Sequence, residues 1–482
     1  MILELNRNSM VLRDIDPNSQ EFWKFRSRYS VWDTRPNGSK YIAWSPIIIN
    51  DNCAYMPRTI GVEAVKKYFG DYIKITENYL NTAPVKEISY KMKNPPRNEL
   101  QQQAIDFVCS METDTGIRQR FLNLATGIGK TYITINSLSR LKKKAMIFVD
   151  TQSLADQWVN EFKIHSNIKS NEIMVLSGQD SIQEALKNPR LKIIIALHQT
   201  IQAYMKNGLD KLQGLFNKLK CSLLVFDEAH TQMFNTMSIV STVNVWGILY
   251  LTATGGRTSK DENALWNILI GSIPTFNGLD KEKYHTVIIS TFDSQPTEGM
   301  LDSVTIKLGI SHTWFSSNHW AENICTPKCY EHFINHIYKL FDSFKFLERK
   351  LNVVLVFPTI EMIKKVKESL ENKYGIECGL LIGEIKTEDR DKEIENHSII
   401  FATQKLFGKG LTIKKLDILI SCAPMSSELN VRQLIGRLRN IPGHKHIYID
   451  ITDRAYPQCM RQLRLRRKYY ADVAKKIIDL KI

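Results

Sequence analysis

Between residues 98 and 285, short apolar runs rich in β-branched residues alternate with segments of helical periodicity. The runs at 121–124, 145–149, 173–176, 193–196, 223–226 and 247–251 read as buried strands. Such alternation predicts a parallel sheet with helices on both faces, because a parallel neighbour is reached only through a crossover. A second alternating stretch spans 286–455, with strands expected at 353–357, 399–402, 418–421 and 447–449. The first ninety residues differ: strand-like Tyr41-Ile42-Ala43-Trp44 and a helix from Val62 to Phe69 predict a small α+β module. Lys91-Met92-Lys93-Asn94-Pro95-Pro96-Arg97 reads as an extended linker, since adjacent prolines exclude helix. The tail predicts a basic helix carrying Arg461, Arg464, Arg466, Arg467 and Lys468, either a solvated face or a ligand for a polyanion. The expected fold is therefore α/β, divided into 1–90, 91–285, 286–455 and 456–482.

Two segments change this picture from architecture to chemistry. Leu124-Ala125-Thr126-Gly127-Ile128-Gly129-Lys130-Thr131 follows a predicted strand and opens a predicted helix, the context a phosphate-binding loop needs. Leu124 stands where the general pattern has glycine. Gly127 and Gly129 let the backbone turn tightly, so that the N–H groups of Thr126 to Thr131 can surround a β-phosphate at the positive end of a helix. Lys130 brings a full charge to the β and γ phosphates, and the Thr131 hydroxyl is a ligand for Mg²⁺. About a hundred residues on, Leu223-Leu224-Val225-Phe226-Asp227-Glu228-Ala229-His230 ends a predicted strand in two acids. Asp227 suits the same Mg²⁺ through its water shell, and Glu228 suits the attacking water. Together the segments predict an ATP-hydrolysing enzyme.

Composition narrows the partner. Hydrophobic residues at 43% and charged residues at 24% are ordinary for globular proteins, while 65 Lys plus Arg against 50 Asp plus Glu give +15. Such an excess favours a polyanion, and nucleic acid is the expected one. No run of about 18 apolar residues occurs, and the start Met1-Ile2-Leu3-Glu4 lacks an export layout, which predicts a cytosolic protein without membrane contact. The eight cysteines read as reduced thiols. Cys325, Cys329, His332 and His336 have the spacing of a weak zinc site, although the same segment reads equally as an amphipathic helix.

Taken with Leu251-Thr252-Ala253-Thr254 and Val431-Arg432-Gln433-Leu434-Ile435-Gly436-Arg437-Leu438-Arg439, the phosphate segments resemble superfamily 2 helicases of the DEAH type. The resemblance spans roughly residues 97–445 and implies two tandem recA-like domains acting on one ATP with Mg²⁺. It implies that Gln101 recognises adenine, and that Gly410 and Gln433 belong to the nucleotide site. It further implies that Arg437, and Arg439 beside it, stabilise the γ-phosphate. Segments 149–158, 196–200 and 403–412 are similar to the family's nucleic-acid motifs and implicate Gln152, Thr200 and Thr403. Asn440 replaces the second family arginine, and Thr412 stands where many relatives have Asp. The front segment, Phe25-Arg26-Ser27-Arg28-Tyr29-Ser30-Val31-Trp32-Asp33, resembles that of phage UvsW-like branch-migrating helicases. That likeness implies Arg26, Arg28 and Arg35 on DNA phosphates, with Trp32 or Trp44 stacking at a junction or else forming the module's core. The expectation is a monomeric ATP-dependent DNA helicase or translocase on branched or forked duplex and single strands. The alternatives are an RNA helicase and the motor of a restriction-type complex.

Overall fold

The computed structural model describes residues 1–482 apart from 36, 80–82, 126, 207, 253–259, 279–284, 309–311, 386, 409–412, 414–415, 439–445 and 482. The chain forms two compact units, Met1–Leu279 and Asp280–Ile482.

The first unit opens with β1 (Ile2–Leu5), β2 (Ser9–Arg13), β3 (Val31–Thr34), β4 (Lys40–Trp44), β5 (Ile48–Asn50), β6 (Cys53–Pro57) and β7 (Lys74–Glu77). Five of these make a mixed sheet in the order β5-β6-β2-β1-β7, and β3 pairs with β4 as a separate hairpin. Helices Gln20–Arg28 and Val62–Phe69 bury Phe22, Phe25 and Phe69, whose rings meet edge to face and tilted.

The larger sheet follows, from β8 (Gln119–Leu124), β9 (Ala145–Val149), β10 (Ile173–Leu176), β11 (Ile193–Leu197), β12 (Leu223–Phe226), β13 (Gly247–Thr252) and β14 (Thr275–Gly278). Its order is β10-β11-β9-β12-β13-β8-β14, and every pairing is parallel. Alternation along β9 sends Met146 and Phe148 to one face and Ile147 and Val149 to the other. The first face shares its core with the amino-terminal sheet, Leu3, Phe22 and Met56 lying in the same cluster as Phe148 and Leu224. Trp44 stacks on Phe234 with centroids 4.6 Å apart, and Ser241 Oγ donates to Pro46 O at 2.7 Å. The front module is thus packed onto the larger sheet. Nor is 91–97 a free tether: Lys93 N donates to His165 O at 2.8 Å, and Met92 bridges Ser166.

The second unit contains β15 (His285–Phe292), β16 (Thr305–Leu308), β17 (His312–Phe315), β18 (Val353–Phe357), β19 (Gly379–Leu381), β20 (Ile399–Thr403), β21 (Ile418–Ser421), β22 (Ile447–Asp453) and β23 (Ala474–Leu480). Seven form a parallel sheet, β19-β20-β18-β21-β22-β15-β23, and β16 and β17 make a hairpin apart from it. Val353, Leu355 and Phe357 enter one core, Val354 and Val356 the other. These are the two recA-like parallel sheets that the resemblance implied.

The tail is a correction to the helix expected over 456–482. Helix Pro457–Val473 is followed by β23, which closes the sheet edge beside β15. Arg466 is neither solvated nor a ligand for a polyanion. Its guanidinium, 1% exposed, grips the Asp450 carboxylate at 2.8 and 3.1 Å and donates to Thr452 Oγ1 and Met425 O. The Tyr470 hydroxyl donates to the same carboxylate at 2.7 Å. Arg466→Met is expected to destabilise the protein by about 3–5 kcal/mol, because it leaves a buried carboxylate without its counter-charge. Urea unfolding measures this, and removing Asp450 as well should restore part of the loss.

The zinc reading also fails. His336 is buried with Nε2 2.9 Å from Ser290 Oγ, and Cys329 Sγ lies 3.9 Å from Met300 Sδ. No metal-holding cluster of His, Cys, Asp or Glu exists among the described residues. All eight cysteines are free thiols. No helix among the described residues is long and apolar enough to cross a membrane.

Candidate nucleotide site

The carboxyl ends of β8 and β12 carry the two segments, with β13 between them. Two strand spacings, about 10 Å, therefore separate the backbones. Lys130 and Glu228 span that gap, Nζ donating to Oε1 at 2.7 Å. Gly127 and Gly129 adopt φ of +88° and +97°, the left-handed conformations that the sequence demanded of them. Gly129 caps helix Lys130–Leu141, so the loop faces the positive end of a helix dipole. Ile128 is half-buried in the loop, and Thr131 sits in the helix's first turn. Thr126 lies outside the described residues.

After β12 the chain turns sharply. Asp227 N donates to Phe148 O at 3.1 Å, Ala229 N to Leu251 O at 3.0 Å and Thr231 N to Glu228 O at 2.8 Å. Glu228 takes φ +45°, a costly conformation for a side chain with a Cβ, which these neighbours impose. The turn aims its carboxylate at Lys130 on one side and leaves Oε2 3.6 Å from His230 Nδ1 on the other. His230, fully buried, is tied in turn to Thr252 Oγ1 at 2.6 Å.

Asp227 Oδ2 accepts from Trp158 Nε1 at 2.9 Å. Burial first, and the Glu228 charge second, push the Asp227 carboxyl up to about 6, with Lys130 opposing. The protonated form is therefore the one that folding favours: its contribution is whole below the usual carboxylate range and is lost as pH rises through about 6. A crowded pair of acids beside a lysine, with a hydroxyl on the helix opposite, is a donor set that fits a Mg²⁺–triphosphate. A divalent ion needs the ionised carboxylate, so the Mg²⁺ concentration for half-maximal hydrolysis should rise as pH falls from 7 to 5. A flat Mg²⁺ requirement across that range would remove Asp227 from the ion's shell.

Gln101 is placed at the loop. Its Nε2 donates to Ile128 O at 2.7 Å, while Oε1 accepts from Arg97 N at 2.8 Å. Sequence reasoning missed Arg97, whose guanidinium reaches Gly127 O and Ile128 O at 3.2 and 3.3 Å. Its signal was the spacing of one helical turn ahead of Gln101. Also missed was Thr231, whose hydroxyl lies 3.2 Å from Asp150 Oδ2 and 2.9 Å from Glu228 O, linking the strand end before Gln152 to the turn after β12.

The remaining predicted residues scatter. Gln152 is exposed and holds Asp156 at 2.9 Å. Thr200, expected as a nucleic-acid contact, is 7% exposed, and its hydroxyl accepts from Gly178 N at 3.0 Å. Thr403 ends β20, half-buried. Arg28 is exposed, and Arg35, also exposed, lies over the Tyr41 ring at 5.3 Å; Arg26 is half-buried, which lowers its pKa. Trp32 meets Trp23 edge-on at 6.2 Å. In the second unit Gln433 lies on helix Glu428–Ile435 and Arg437 in the turn after it, its N donating to Leu434 O at 3.0 Å. Arg439, Gly410, Thr412, Ala253 and Thr254 lie outside the described residues.

Two family models match the chain. One is "Type III restriction enzyme, res subunit" over residues 95–257, and the other is "Helicase conserved C-terminal domain" over 334–441. With the twin sheets, they support a superfamily 2 helicase, a class of ATP-dependent motors on nucleic acid that normally take Mg²⁺. Among relatives, a protein of Yaba monkey tumor virus named "Transcript termination protein A18" is 25% identical over 66% of this chain and 64% of its own. A Haloarcula marismortui protein named "Putative DNA 3'-5' helicase Rad25" is 24% identical over 41% of this chain and 32% of its own. The chain thus spans less than two thirds of these relatives' lengths. Among solved structures, S. cerevisiae Dbp5 bound to RNA and ADP BeF3 shares the fold at TM-score 0.54 and 13% identity, covering 79% of this chain and 89% of that one. Mss116p bound to ssRNA and AMP-PNP does so at 0.54 and 15%, covering 81% and 75%.

Proposed function

We propose that the protein is an ATP-dependent DNA helicase or translocase acting on branched or forked DNA, in the cytosol and as a monomer. The observation that carries the motor chemistry is the Lys130–Glu228 bridge beside the crowded Asp227 carboxyl. In this reading the incoming triphosphate displaces Glu228 from Lys130. The loop from Thr126 to Thr131 binds its phosphates, and the freed carboxylate orients and deprotonates water. Mg²⁺, when bound at Thr131 and Asp227, would neutralise the phosphate oxygens. Gln101 reads the base, while Gln433, Gly410, Arg437 and Arg439 act from the second unit on nucleotide. Arg28 and Arg35, with the half-buried Arg26, grip duplex phosphates, and Gln152 and Thr403 take the single strand. The net charge of +15 and the match to a putative DNA helicase support DNA as the track.

ATP hydrolysis by the chain, measured with four-way junctions, linear duplex, single-stranded DNA and RNA, tests the reading. Stimulation greatest on the junction is expected. Stimulation by RNA alone would overturn it in favour of an RNA helicase.

A second reading is favoured by the relatives named as transcript termination proteins. Here the same motor pulls on nucleic acid held by a transcribing complex and frees the transcript. ATP-dependent release of labelled RNA from a stalled elongation complex, without any response to junctions, would select it.

A further inference from the structure

Two features of the second unit lie outside the nucleotide site and share one neighbourhood. The first is the hairpin β16–β17, which joins neither large sheet. Its register sets Thr305 opposite Phe315 and Ile306 opposite Trp314. Because side chains alternate faces along a strand, each pair shares one face. Phe315 packs against the apolar core, and Thr305 Oγ1 accepts from Gln458 Nε2 at 3.1 Å, so their face is turned inward. Trp314 stands on the opposite face, 62% exposed. Tryptophan is ordinarily well buried, and an indole held outward on an anchored hairpin offers a flat stacking surface.

The second feature is helix Pro457–Val473, whose first turn anchors that hairpin through Gln458. Residues 457–481 contain eight Lys or Arg against two acids, Asp472 and Asp479. Both acids are engaged, Asp472 by Arg432 at 3.1 Å and Asp479 by Arg467. Arg466 turns inward to Asp450. Arg461, Arg464 and Lys468 are exposed and form no ion pair among the described residues. Arg461 lies one turn beyond Gln458, so the open positive charge begins one helical turn from the residue that holds the hairpin. It then runs along the helix for about another 10 Å.

We infer that Trp314 and the ridge of Arg461, Arg464 and Lys468 form a binding track for single-stranded nucleic acid. A base stacks on the indole, and the following phosphates lie on the ridge. Every base has a π-face, so such a track is indifferent to sequence, as a moving motor requires. The charge favours a polyanion over a protein partner, since Leu465, 39% exposed, is the one large apolar side chain that the helix shows to solvent among the described residues. The inference rests on the nucleic-acid motor proposed above and gives it a hold made of residues outside the family motifs.

The test uses the full chain with short fluorescent oligo-dT and oligo-rU, read by anisotropy over a salt series, alongside hydrolysis with and without each oligomer. Trp314→Ala is expected to weaken binding about tenfold, with Trp314→Phe retaining most of it. The double change Arg461→Gln, Arg464→Gln should reduce the slope of log affinity against log salt by about 1.4. Hydrolysis without nucleic acid should be unchanged in all three, and the oligomer that loses more affinity identifies the polymer the track prefers. Variants that bind with wild-type affinity and slope, while wild-type hydrolysis still responds to nucleic acid, would overturn the track and leave the motor standing. A wild-type chain that neither binds nor responds to either oligomer would overturn both.

Discussion

Glu228→Gln is expected to slow ATP hydrolysis by about 10³-fold or more while leaving nucleotide binding intact or tighter. The expectation follows from what the carboxylate touches. Its Oε1 is the partner of Lys130 at 2.7 Å, and its backbone is forced to φ +45° so that it faces the loop. An amide of the same shape keeps the turn but cannot take a proton from water. It also removes a negative charge that competes with the triphosphate for Lys130 and repels it, so affinity should not fall. Single-turnover hydrolysis and the affinity of a fluorescent ATP analogue read the two effects separately. Lys130→Ala is the control with the opposite signature, losing both turnover and binding. Retained turnover in Glu228→Gln would place the water with another group and undo the assignment.

Much of this site was legible because its demands are local. A loop that must turn through left-handed backbone shows its glycines at 127 and 129, and both adopt that conformation. A strand buried on both faces shows an unbroken apolar run, which is why Leu223–Phe226 and Val353–Phe357 could be placed. The edge strands were harder: β19 has only three residues, and in β14 Thr275, Phe276 and Asn277 are wholly or partly exposed, so no apolar run marks it. What sequence could not supply was long-range pairing. Arg466 sat in a basic cluster like its neighbours, and only the fold brings Asp450 beneath it. Trp44, read as either core or stacking platform, is half-buried against Phe234, a residue 190 positions away. Nor could the sequence place Gly178 N against the Thr200 hydroxyl, which accepts its hydrogen bond across 22 residues.

Arg437→Ala should lower the hydrolysis rate by about 10³-fold or more with little change in ATP affinity. The γ-phosphate gains charge as it leaves, and a guanidinium that meets it stabilises the transition state more than the bound substrate, which lowers the rate without weakening binding when it is lost. Arg437 lies in the turn after helix Glu428–Ile435. Its backbone is fixed by Arg437 N on Leu434 O at 3.0 Å and Leu438 N on Ile435 O at 3.0 Å, while Leu438 is buried. Arg437 itself is half-buried. Arg437→Lys should recover little, since an ammonium lacks the planar fork that spans two phosphate oxygens. Pre-steady-state kinetics distinguish this from a binding defect: nucleotide association should match wild type, with the loss confined to the chemical step. An unchanged rate would mean that Arg437 does not reach the phosphates.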